Sequence, residues 1–433
     1  MNMRKKAVVI GMGYVGIPLS CLLAKAGNDV VGIDIDAEKI RLLNAGKYPL
    51  KGEEPDLPEL LAEQVKGKAF KASDDFSECK DAKAVFICID TPIDENKEPR
   101  FDHLVDAVNS VGKNISAGAL VVVESTIAPG TMRGKILPAL EKKSGLKAGK
   151  DLFIAHCPER VMSGKLLNNL KNVDRVLGGF DKRSTEMAIE WYTPIMKAKL
   201  HPTDMTSAEV AKTAENAYRD VQIAFANEVG LICEKLGLDA FEVRRLVNTC
   251  PYRDMHIPGA GVGGHCLPKD PWLLAYGGRE AEPKLIPAAR RINDSMPTHV
   301  VELALDAMKE AGVKKGKSTC IAVFGLAFLD NSGDTRNSPA STVIRLLKGK
   351  YRIVGHDPYV DDFDGVEIVK DIDSALKMAD CAIFLTKHKE YTMLTMDHIA
   401  GLMRSKVLID GRNSFEKHRA KQLGIIYRGI GKG

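Results

Sequence analysis

The sequence has no uninterrupted run of about twenty apolar residues, the length that a membrane-spanning helix requires. No part of the chain is therefore predicted to cross a membrane. The N-terminal segment is basic, but the apolar run after it is short and passes straight into a glycine loop. This pattern favours a β-strand over a secretory signal peptide.

The chain also lacks a long basic tail, although its net charge is +5. Lysines and arginines are spread along the sequence, which does not favour nucleic-acid binding and is compatible with an anionic small substrate. No Cys-x-x-Cys pair and no His/Cys cluster has metal-ligand spacing, so no metal site is predicted. The nine cysteines are odd in number and scattered, which indicates reduced thiols in a cytoplasmic protein.

The 433 residues are too many for one ordinary domain and suggest two or three. The first third carries the pattern of a dinucleotide-binding domain. A buried-strand run at 7–10 leads into a G-x-G-x-x-G sequence, an apolar helix follows, and a second strand ends at Asp34. In such a unit Gly11 makes the turn, Gly13 lets the backbone approach a pyrophosphate, and Gly16 packs the helix on the strand.

The helix that follows this turn would direct its N-terminus at the phosphates. Asp34 would accept hydrogen bonds from a ribose diol and would repel a 2′-phosphate. The pattern therefore predicts NAD as the cofactor in preference to NADP.

Polar residues follow three further strand-like runs, at 84–89, 120–123 and 153–155. Ligands bind at the carboxyl ends of parallel strands, which places Thr91 and Thr126 against cofactor or substrate. Helix capping is the other interpretation of these hydroxyls. After the third run, Glu159 could act as a general base and Arg160 as a phosphate or carboxylate clamp, or the two could form a surface ion pair.

The middle of the chain changes to helical periodicity from about residue 206 to 236, with Gly237 as the stop. Lys212, Asn216 and Arg219 share one face of this helix. They form either a solvated polar stripe or a lysine and an amide directed into a cleft, with an arginine at its rim. Such a long helix commonly pairs with its symmetry mate, so we expect a homodimer.

A glycine-rich stretch at 258–272 surrounds Cys266, with Lys269 and Asp270 directly after it. A thiol beside a cation can ionise near neutral pH, and the thiolate is a nucleophile. A nearby carboxylate can hold a water or a proton. The alternative is a tight loop that carries a buried, inert cysteine.

In the last third, a basic break at 314–317 precedes strand-like runs at 321–324, 352–355, 381–385 and 407–410. Ser338 and Pro339 mark the start of a helix as N-cap and first residue. The alternation of strand and helix predicts a second parallel sheet with helices on both faces. Because the full glycine pattern is missing, this unit should hold another nucleotide-like ligand or only pack.

Together these features resemble the nucleotide-sugar 6-dehydrogenases of the UDP-glucose/GDP-mannose dehydrogenase family, over nearly the full length. The resemblance rests on Gly11–Gly16, Glu124-Ser125-Thr126, Cys157-Pro158-Glu159-Arg160, Lys212 with Asn216, Gly263-Gly264-His265-Cys266 with Asp270, and Asp334-Thr335-Arg336. It implies an α/β fold with three domains. These are an N-terminal Rossmann NAD-binding domain at 1–203, a central helical dimerisation and catalytic domain at 204–312, and a C-terminal Rossmann-like α/β domain for the UDP-sugar at 313–433.

Within the family, the Gly-Gly-His-Cys sequence and the segments 172–175 and 219–228 resemble the branch that acts on UDP-N-acetylhexosamines. UDP-N-acetylmannosamine is the first choice of substrate, and UDP-GlcNAc, UDP-GalNAc and UDP-glucose are the alternatives. The resemblance also implies a role in polysaccharide biosynthesis.

The family's chemistry implies a four-electron oxidation of the sugar C6 alcohol by NAD. Cys266 would attack the intermediate aldehyde to give a thiohemiacetal and then a thioester, which water releases as a carboxylate. The resemblance gives Lys212 proton transfer and oxyanion stabilisation, with Asn216 on the same oxygen, and expects Lys212 and Cys266 within reach of one carbon. Glu159, Asp270 and Thr126 would handle water and protons.

The resemblance also implies the binding residues. The implied NAD contacts are Gly11, Gly13, Tyr14, Val15, Gly16, Asp34, Lys39, Thr91, Thr126 and Arg336. The implied UDP-sugar contacts, partly across the dimer, are Arg160, Val161, Lys212, Asn216, Arg219, Tyr252, Arg253, Gly263, Phe328 and Arg412.

The chain departs from the family at three places. Leu329 stands after Phe328 where the family usually has a lysine. Cys250-Pro251-Tyr252 stands where the amino-sugar branch often has His-Pro-Arg, and Lys269 where that branch often has an uncharged residue. Two other function classes fit parts of the pattern: a β-hydroxyacid or 6-phosphogluconate-type dehydrogenase, with one oxidation and no nucleophilic cysteine, and a non-catalytic NAD-binding sensor or scaffold.

Overall fold

The computed structural model describes residues 4–50, 52, 54–162 and 164–433, so residues 1–3 of the basic N-terminal segment lie outside the described part. The chain divides into two compact units. The first contains the described residues up to Glu215 together with Trp272–Glu282, and the second contains Asn216–Pro271 together with Pro283–Gly433. Each unit is built around one β-sheet.

The sheet of the first unit has eight strands in the described residues. They are β1 Lys6–Ile10, β2 Asp29–Ile33, β3 Phe70–Ser73, β4 Ala84–Ile87, β5 Leu120–Val123, β6 Phe153–His156, β7 Arg175–Gly179 and β8 Leu200–Asp204. Their order is β3-β2-β1-β4-β5-β6-β7-β8, and among these described pairs only β6 and β7 run antiparallel. The strand order reverses between β1 and β4, which is where doubly wound sheets bind their ligands.

Helices cover both faces of this sheet. Alternate residues of β1 belong to different apolar clusters: Ala7 and Val9 pack on one face, Val8 and Ile10 on the other. A strand buried on both faces needs a continuous apolar run, which explains why β1, β4 and β5 carry few polar residues. The helices are α1 Gly16–Lys25, α2 Ala37–Asn44, α3 Leu57–Lys66, α4 Asp102–Asn114, α5 Leu137–Ser144, α6 Leu166–Asn172 and α7 Lys182–Tyr192.

The helix α8 runs from Met205 to Leu236, close to the predicted 206–236, and the boundary between the two units falls within it. It ends at Gly237, whose φ of +71° suits a residue without a Cβ. The next helices along the chain are α9 Ala240–Val247, α10 Asp270–Gly277 and α11 Leu285–Glu310. Asp239 caps α9 by accepting a hydrogen bond from the Phe241 amide.

The sheet of the second unit has six described strands, all parallel, in the order β11-β10-β9-β12-β13-β14. They are β9 Cys320–Phe324, β10 Arg352–His356, β11 Glu367–Ile368, β12 Cys381–Phe384, β13 Val407–Asp410 and β14 Ile426–Gly429. Its helices are α12 Pro339–Leu347, α13 Ile372–Met378, α14 Lys389–Thr392, α15 Met396–Leu402 and α16 Lys417–Gln422. The side chain of Ser338 caps α12 as predicted.

The predicted fold class is confirmed, since two mainly parallel α/β sheets are separated along the sequence by a helical middle segment. The three domain boundaries stay a prediction. None of the helices in the described part of the chain combines the length and apolar character needed to cross a bilayer. Among the same residues, no three His, Cys, Asp or Glu side chains are grouped to hold a metal ion.

Candidate active site

The turn between β1 and α1 depends on glycines that contact the chain itself. Gly11 has a φ of +90°, and its amide donates to the Ile33 carbonyl. A Cβ on Gly16 would lie 1.9 Å from the Gly11 carbonyl oxygen, so the start of α1 lies directly against the turn. Gly32, which sequence reasoning missed, makes room for Met12 of the same turn: its Cβ would lie 2.4 Å from the Met12 Sδ.

Gly13 differs from these glycines because no atom lies within 4 Å of the position its Cβ would take. This open space leaves room for a ligand beside the backbone, and the approach of a pyrophosphate to Gly13 stays a prediction. In the described part of the chain no side chain caps α1 at Val15, and the Ile17 amide donates to the Gly13 carbonyl at 3.1 Å. The neighbouring Tyr14 is partly buried against the apolar core.

Asp34 follows β2 and organises the turn from the other side. Its carboxylate accepts hydrogen bonds from the amides of Met12, at 2.8 Å, and Asp36, at 3.0 Å. Lys39 Nζ lies 2.8 Å from the same carboxylate. The predicted ribose acceptor thus already holds the glycine turn and is partly neutralised by a lysine.

The two predicted threonines meet at the ends of adjacent strands. Thr91 Oγ1 donates to the Thr126 carbonyl at 2.5 Å, and both residues are buried. Neither residue caps a helix of the structure, so the capping interpretation is wrong. Two residues earlier, Glu124 is fully buried between Arg175 and Tyr192; burial raises the pKa of its carboxyl, and the Arg175 charge opposes that rise.

Glu159 and Lys212 are brought together inside the first unit. Lys212 Nζ lies 3.9 Å from Glu159 Oε1, and both side chains are almost fully buried. Glu159 Oε2 accepts from the Val161 amide at 2.5 Å. The alternative of a surface ion pair therefore fails for Glu159. Arg160 pairs instead with Glu215 at 2.8 Å and donates to the Asp174 carbonyl.

Sequence reasoning missed Glu209, which lies one turn before Lys212 on α8. Its two carboxylate oxygens accept from the amides of Gly130 and Met132, at 2.7 and 2.6 Å. These amides belong to the segment that runs from Thr126 into the helical turn beginning at Met132. Burial raises the pKa of Glu209 to about 7, against the opposing effect of the two amides. The i, i+3 spacing to Lys212 was a signal in the sequence, but any exposed helix carries many such spacings.

The cysteines separate into packing residues and a candidate nucleophile. Cys157 is fully buried, and burial raises the pKa of its thiol to about 12, so it is unsuited to nucleophilic attack. Cys266 is partly exposed and not in a disulfide. Its carbonyl accepts from the amides of Lys269 and Asp270, which places the thiol one turn ahead of α10. The alternative of a buried cysteine at this position is therefore wrong.

Asp270 links Cys266 to the long helix within the second unit. Asn216 Nδ2 donates to Asp270 Oδ2 at 2.6 Å, and Lys269 Nζ donates to Oδ1 at 2.7 Å. Asp270 and Lys269 are buried. Of the predicted polar face of α8, Lys212 is buried, Asn216 half-buried and Arg219 exposed. These three side chains therefore do not form a uniformly solvated polar stripe.

The glycines before Cys266 pack on the chain's own residues. A Cβ on Gly263 would lie 2.4 Å from Phe328 Cβ, and one on Gly264 would lie 2.8 Å from the Phe328 ring. The Gly264 amide donates to the Arg336 carbonyl at 2.8 Å, and Asn337 Nδ2 donates to the Gly264 carbonyl at 2.9 Å. These contacts account for both glycines, and substrate contact by Gly263 and Phe328 stays a prediction.

The guanidinium groups of two predicted binding arginines pair with neighbouring carboxylates. The Arg336 guanidinium pairs with Asp334, and Arg412 Nη2 lies 3.2 Å from Asp330. Arg253 is exposed beside Tyr252.

Tyr252 is 99% exposed and has a left-handed φ of +66°. A fully exposed aromatic in a strained turn is unusual and is a candidate contact for another molecule.

The second unit repeats the turn of the first without its ligand-facing acid. Gly325 after β9 has a φ of +88° and donates to the His356 carbonyl, as Gly11 does to Ile33. Asp357 after β10 accepts from the amides of Leu326 and Ala327, as Asp34 does from Met12. Asp357, however, is buried and bonded to His388. The Asp357 carboxylate is therefore engaged by donors of the chain itself.

Three domain models of one family match the chain in order. The descriptions are "UDP-glucose/GDP-mannose dehydrogenase family, NAD binding domain" at residues 5–196, "central domain" at 206–295 and "UDP binding domain" at 322–417. The predicted NAD cofactor is confirmed by the first of these matches, and a nucleotide-like ligand for the C-terminal sheet by the third.

Several nucleotide-sugar dehydrogenases match this chain over nearly its whole length. UDP-N-acetyl-D-mannosamine dehydrogenase of Pyrococcus horikoshii is 37% identical over 99% of both chains. The solved structure of UDP-D-ManNAc dehydrogenase from the same organism aligns with a TM-score of 0.91, at 36% identity and 99% coverage of each chain. NDP-N-acetyl-D-galactosaminuronic acid dehydrogenase of Methanosarcina mazei aligns with a TM-score of 0.88, at 40% identity, over 100% of this chain and 96% of its own. The chain therefore belongs to the UDP-glucose/GDP-mannose dehydrogenase family and is an NAD-dependent nucleotide-sugar dehydrogenase.

Proposed function

We propose that the chain oxidises the C6 hydroxymethyl group of a UDP-N-acetylhexosamine, UDP-N-acetylmannosamine first, to the carboxylate. The overall reaction takes one alcohol, two NAD and one water to one carboxylate, two NADH and three protons. When bound, NAD accepts one hydride in each of the two oxidations. The observation that carries this proposal is Cys266, a partly exposed thiol held one turn ahead of Asp270, which itself holds Asn216.

Cys266 acts between the two oxidations, on the aldehyde that the first one produces. Its sulfur adds to the aldehyde carbon and forms a C–S bond, while the carbonyl oxygen takes a proton, which gives a thiohemiacetal. Loss of the remaining hydride and the hydroxyl proton gives a thioester. Water then attacks the thioester, the C–S bond breaks, and the thiol regains a proton. Covalent capture also keeps the reactive aldehyde from leaving.

The charged side chains supply the proton transfers. Lys212, buried beside Glu159, can take the alcohol proton and stabilise the oxyanion of each tetrahedral step. Asn216 lies four residues further on the same helix and can hydrogen-bond the same oxygen. Glu159 and Asp270 are the carboxylates that can orient water, with Thr126 as a hydroxyl partner. The implied NAD and UDP-sugar contacts stay proposals of the same kind.

Two observations favour an N-acetylhexosamine. All three relatives named above are named for N-acetylated sugars, two for N-acetylmannosamine and one for N-acetylgalactosaminuronic acid. The Gly-Gly-His-Cys sequence, together with the segments 172–175 and 219–228, resembles the branch of the family that acts on UDP-N-acetylhexosamines. Because the route needs a reduced Cys266, we also place the reaction in the cytoplasm, where thiols are kept reduced.

The test is an NADH assay on purified protein with UDP-ManNAc, UDP-GlcNAc, UDP-GalNAc, UDP-glucose and GDP-mannose in parallel. We expect the highest kcat/KM with UDP-ManNAc and two NADH for each substrate consumed. Cys266→Ala should remove the second oxidation, so that the yield falls toward one NADH and the aldehyde accumulates. Cys79→Ala is the matched control, because Cys79 is fully buried in the first unit and should retain two NADH.

Three outcomes would overturn parts of the proposal. A yield of one NADH from the unaltered protein would point to a single oxidation, as in the β-hydroxyacid and 6-phosphogluconate-type dehydrogenases. Full turnover by Cys266→Ala would remove the thioester route. NAD binding with no NADH on any of the five sugars would point to a sensor.

We further propose that the protein forms a homodimer through α8. Tyr218, Phe225 and Ile232 recur every seven residues on this helix and are 67%, 57% and 52% exposed. Side chains seven apart lie on one face, so they form an apolar stripe that a single chain leaves in water. A second copy of the same stripe would cover it.

A further inference from the structure

The segment that carries Cys266 is fastened at Gly264, two residues before the thiol. Both polar backbone groups of Gly264 are bonded to one dipeptide: its amide donates to the Arg336 carbonyl, and its carbonyl accepts from Asn337 Nδ2, at 2.8 and 2.9 Å. Gly264 itself has a φ of +89°. All of these residues belong to the second unit.

The backbone at Gly263 and Gly264 is closely packed against neighbouring residues. The Phe328 ring lies under both glycines, and the Asn337 carbonyl would be 2.9 Å from a Cβ on Gly263. Phe328 and Asn337 belong to the loop that follows β9. The thiol's segment thus lies directly on the loop of the UDP-binding sheet, with only glycine backbone between them.

Asn337 pays a conformational cost to make this bond. Its φ is +49°, in the left-handed region that favours glycine, and asparagine tolerates it better than most residues. A glycine at this position would relieve the backbone. The side-chain amide is what a glycine lacks, so the bond to Gly264 gives a reason for an asparagine here.

We propose that Asn337 is a positioning residue for Cys266: its side-chain bond to Gly264 holds the thiol at the angle needed to capture the aldehyde. This inference rests on the proposed thioester route. It assigns Asn337 no contact with substrate or cofactor. It predicts that loss of the bond harms the second oxidation and leaves substrate affinity alone.

The variant that separates this role from folding is Asn337→Gly, because it removes the amide while relieving the positive φ. The matched control is Asn331→Gly, a second asparagine with positive φ, +56°, whose side chain bonds to the Lys389 amide and not to Gly264. Thermal unfolding of both variants checks that the fold is retained. If Asn337→Gly fails to fold, Asn337→Asp, which keeps the shape but cannot donate, replaces it.

Two readouts are used. The first is the yield of NADH per UDP-sugar consumed, with aldehyde trapped by hydroxylamine. Asn337→Gly should release a measurable share of aldehyde, with a yield between one and two and KM values unchanged within about twofold. The second is the rate at which iodoacetamide alkylates Cys266, followed by mass spectrometry. It should rise about fivefold, the factor expected for loss of one hydrogen bond.

The inference is overturned if Asn337→Gly gives two NADH, no aldehyde and the alkylation rate of the unaltered protein. It is also overturned if Asn331→Gly shows the same changes, since the effect would then be general loosening. Failure of the proposed function looks different: the unaltered protein would itself yield one NADH, while the alkylation comparison would still report on the Gly264 bond.

Discussion

Single carboxylates hold the loops at the ends of the strands. Asp34 accepts from the Met12 amide, Glu209 from the amides of Gly130 and Met132, and Asp357 from those of Leu326 and Ala327. Bonds between a charged acceptor and backbone amides are stronger than neutral ones. The segments that follow these strands are thus fixed by acids placed on other elements.

We expect Asp34 to set the choice between NAD and NADP, and Lys39 beside it to make that choice easy to change. In Asp34→Asn the repulsion of a 2′-phosphate is lost, while Lys39 Nζ, now unpaired from its carboxylate at 2.8 Å, becomes available to the phosphate. We expect kcat/KM for NADP to rise about tenfold, which is the effect of about 1.4 kcal/mol. Steady-state kinetics with both cofactors measure it.

Two variants control this prediction. Asp34→Asn combined with Lys39→Ala should lose the gain for NADP, and Asp29→Asn, at the exposed start of the same strand, should change neither cofactor. An unchanged NADP rate in the single variant would show that Asp34 does not face the 2′ position.

At the scale of elements, the glycines of the β1–α1 turn differ in the space that is available for a Cβ. Gly16 faces the Gly11 carbonyl oxygen at 1.9 Å, whereas Gly13 faces no atom within 4 Å. Gly16→Ala should therefore destabilise the fold by about 1–3 kcal/mol, as overpacking does. Gly13→Ala should keep the fold and weaken NAD binding at least about tenfold, because its methyl enters the space of the pyrophosphate.

Thermal unfolding and NAD titration calorimetry on the two variants form one experiment. The two variants should differ in opposite ways. Gly16→Ala should lower the Tm, whereas Gly13→Ala should leave the Tm unchanged and weaken NAD binding. Equal NAD affinity in Gly13→Ala and the unaltered protein would mean that the pyrophosphate does not approach this glycine.

Elements with strong local signals were predicted almost to the residue. Strands β5 and β13 match their predicted ranges, and β2 ends one residue before Asp34. The helix α8 ends directly before Gly237, and α12 begins directly after its Ser338 cap. Such signals are local, because a cap or a stop acts on the neighbouring turn alone. The bonds from Glu209 to the amides of Gly130 and Met132, and the bond from Asn337 to Gly264, were not predicted, because these partners lie far apart along the chain.

At the scale of the whole molecule, the prediction concerns assembly. Phe225→Asp places a charge in the middle of the α8 stripe and should shift the protein from a dimer to a monomer of 47.2 kDa. Light scattering after size exclusion measures the mass. Met393→Asp is the control, because Met393 is 81% exposed but lies away from α8 in the sequence and in no predicted interface.

A monomeric mass for the unaltered protein at micromolar concentration would rule out the dimer. If Phe225→Asp is still a dimer, the interface lies on a surface other than the α8 stripe. The exposed Tyr252 turn is the first surface to test in that case.

The sequence by itself determined the fold class, the cofactor and the family, because these depend on short patterns: glycine spacing, apolar runs and a few polar residues at strand ends. It also named Glu159, Lys212, Asn216, Cys266 and Asp270. Only the tertiary structure decided how these residues are held. Burial showed Cys157 to be a packing residue, and the glycines before Cys266 proved to seat it on Phe328 and Asn337. Such contacts join residues about seventy positions apart, and no local pattern specifies a partner at that distance.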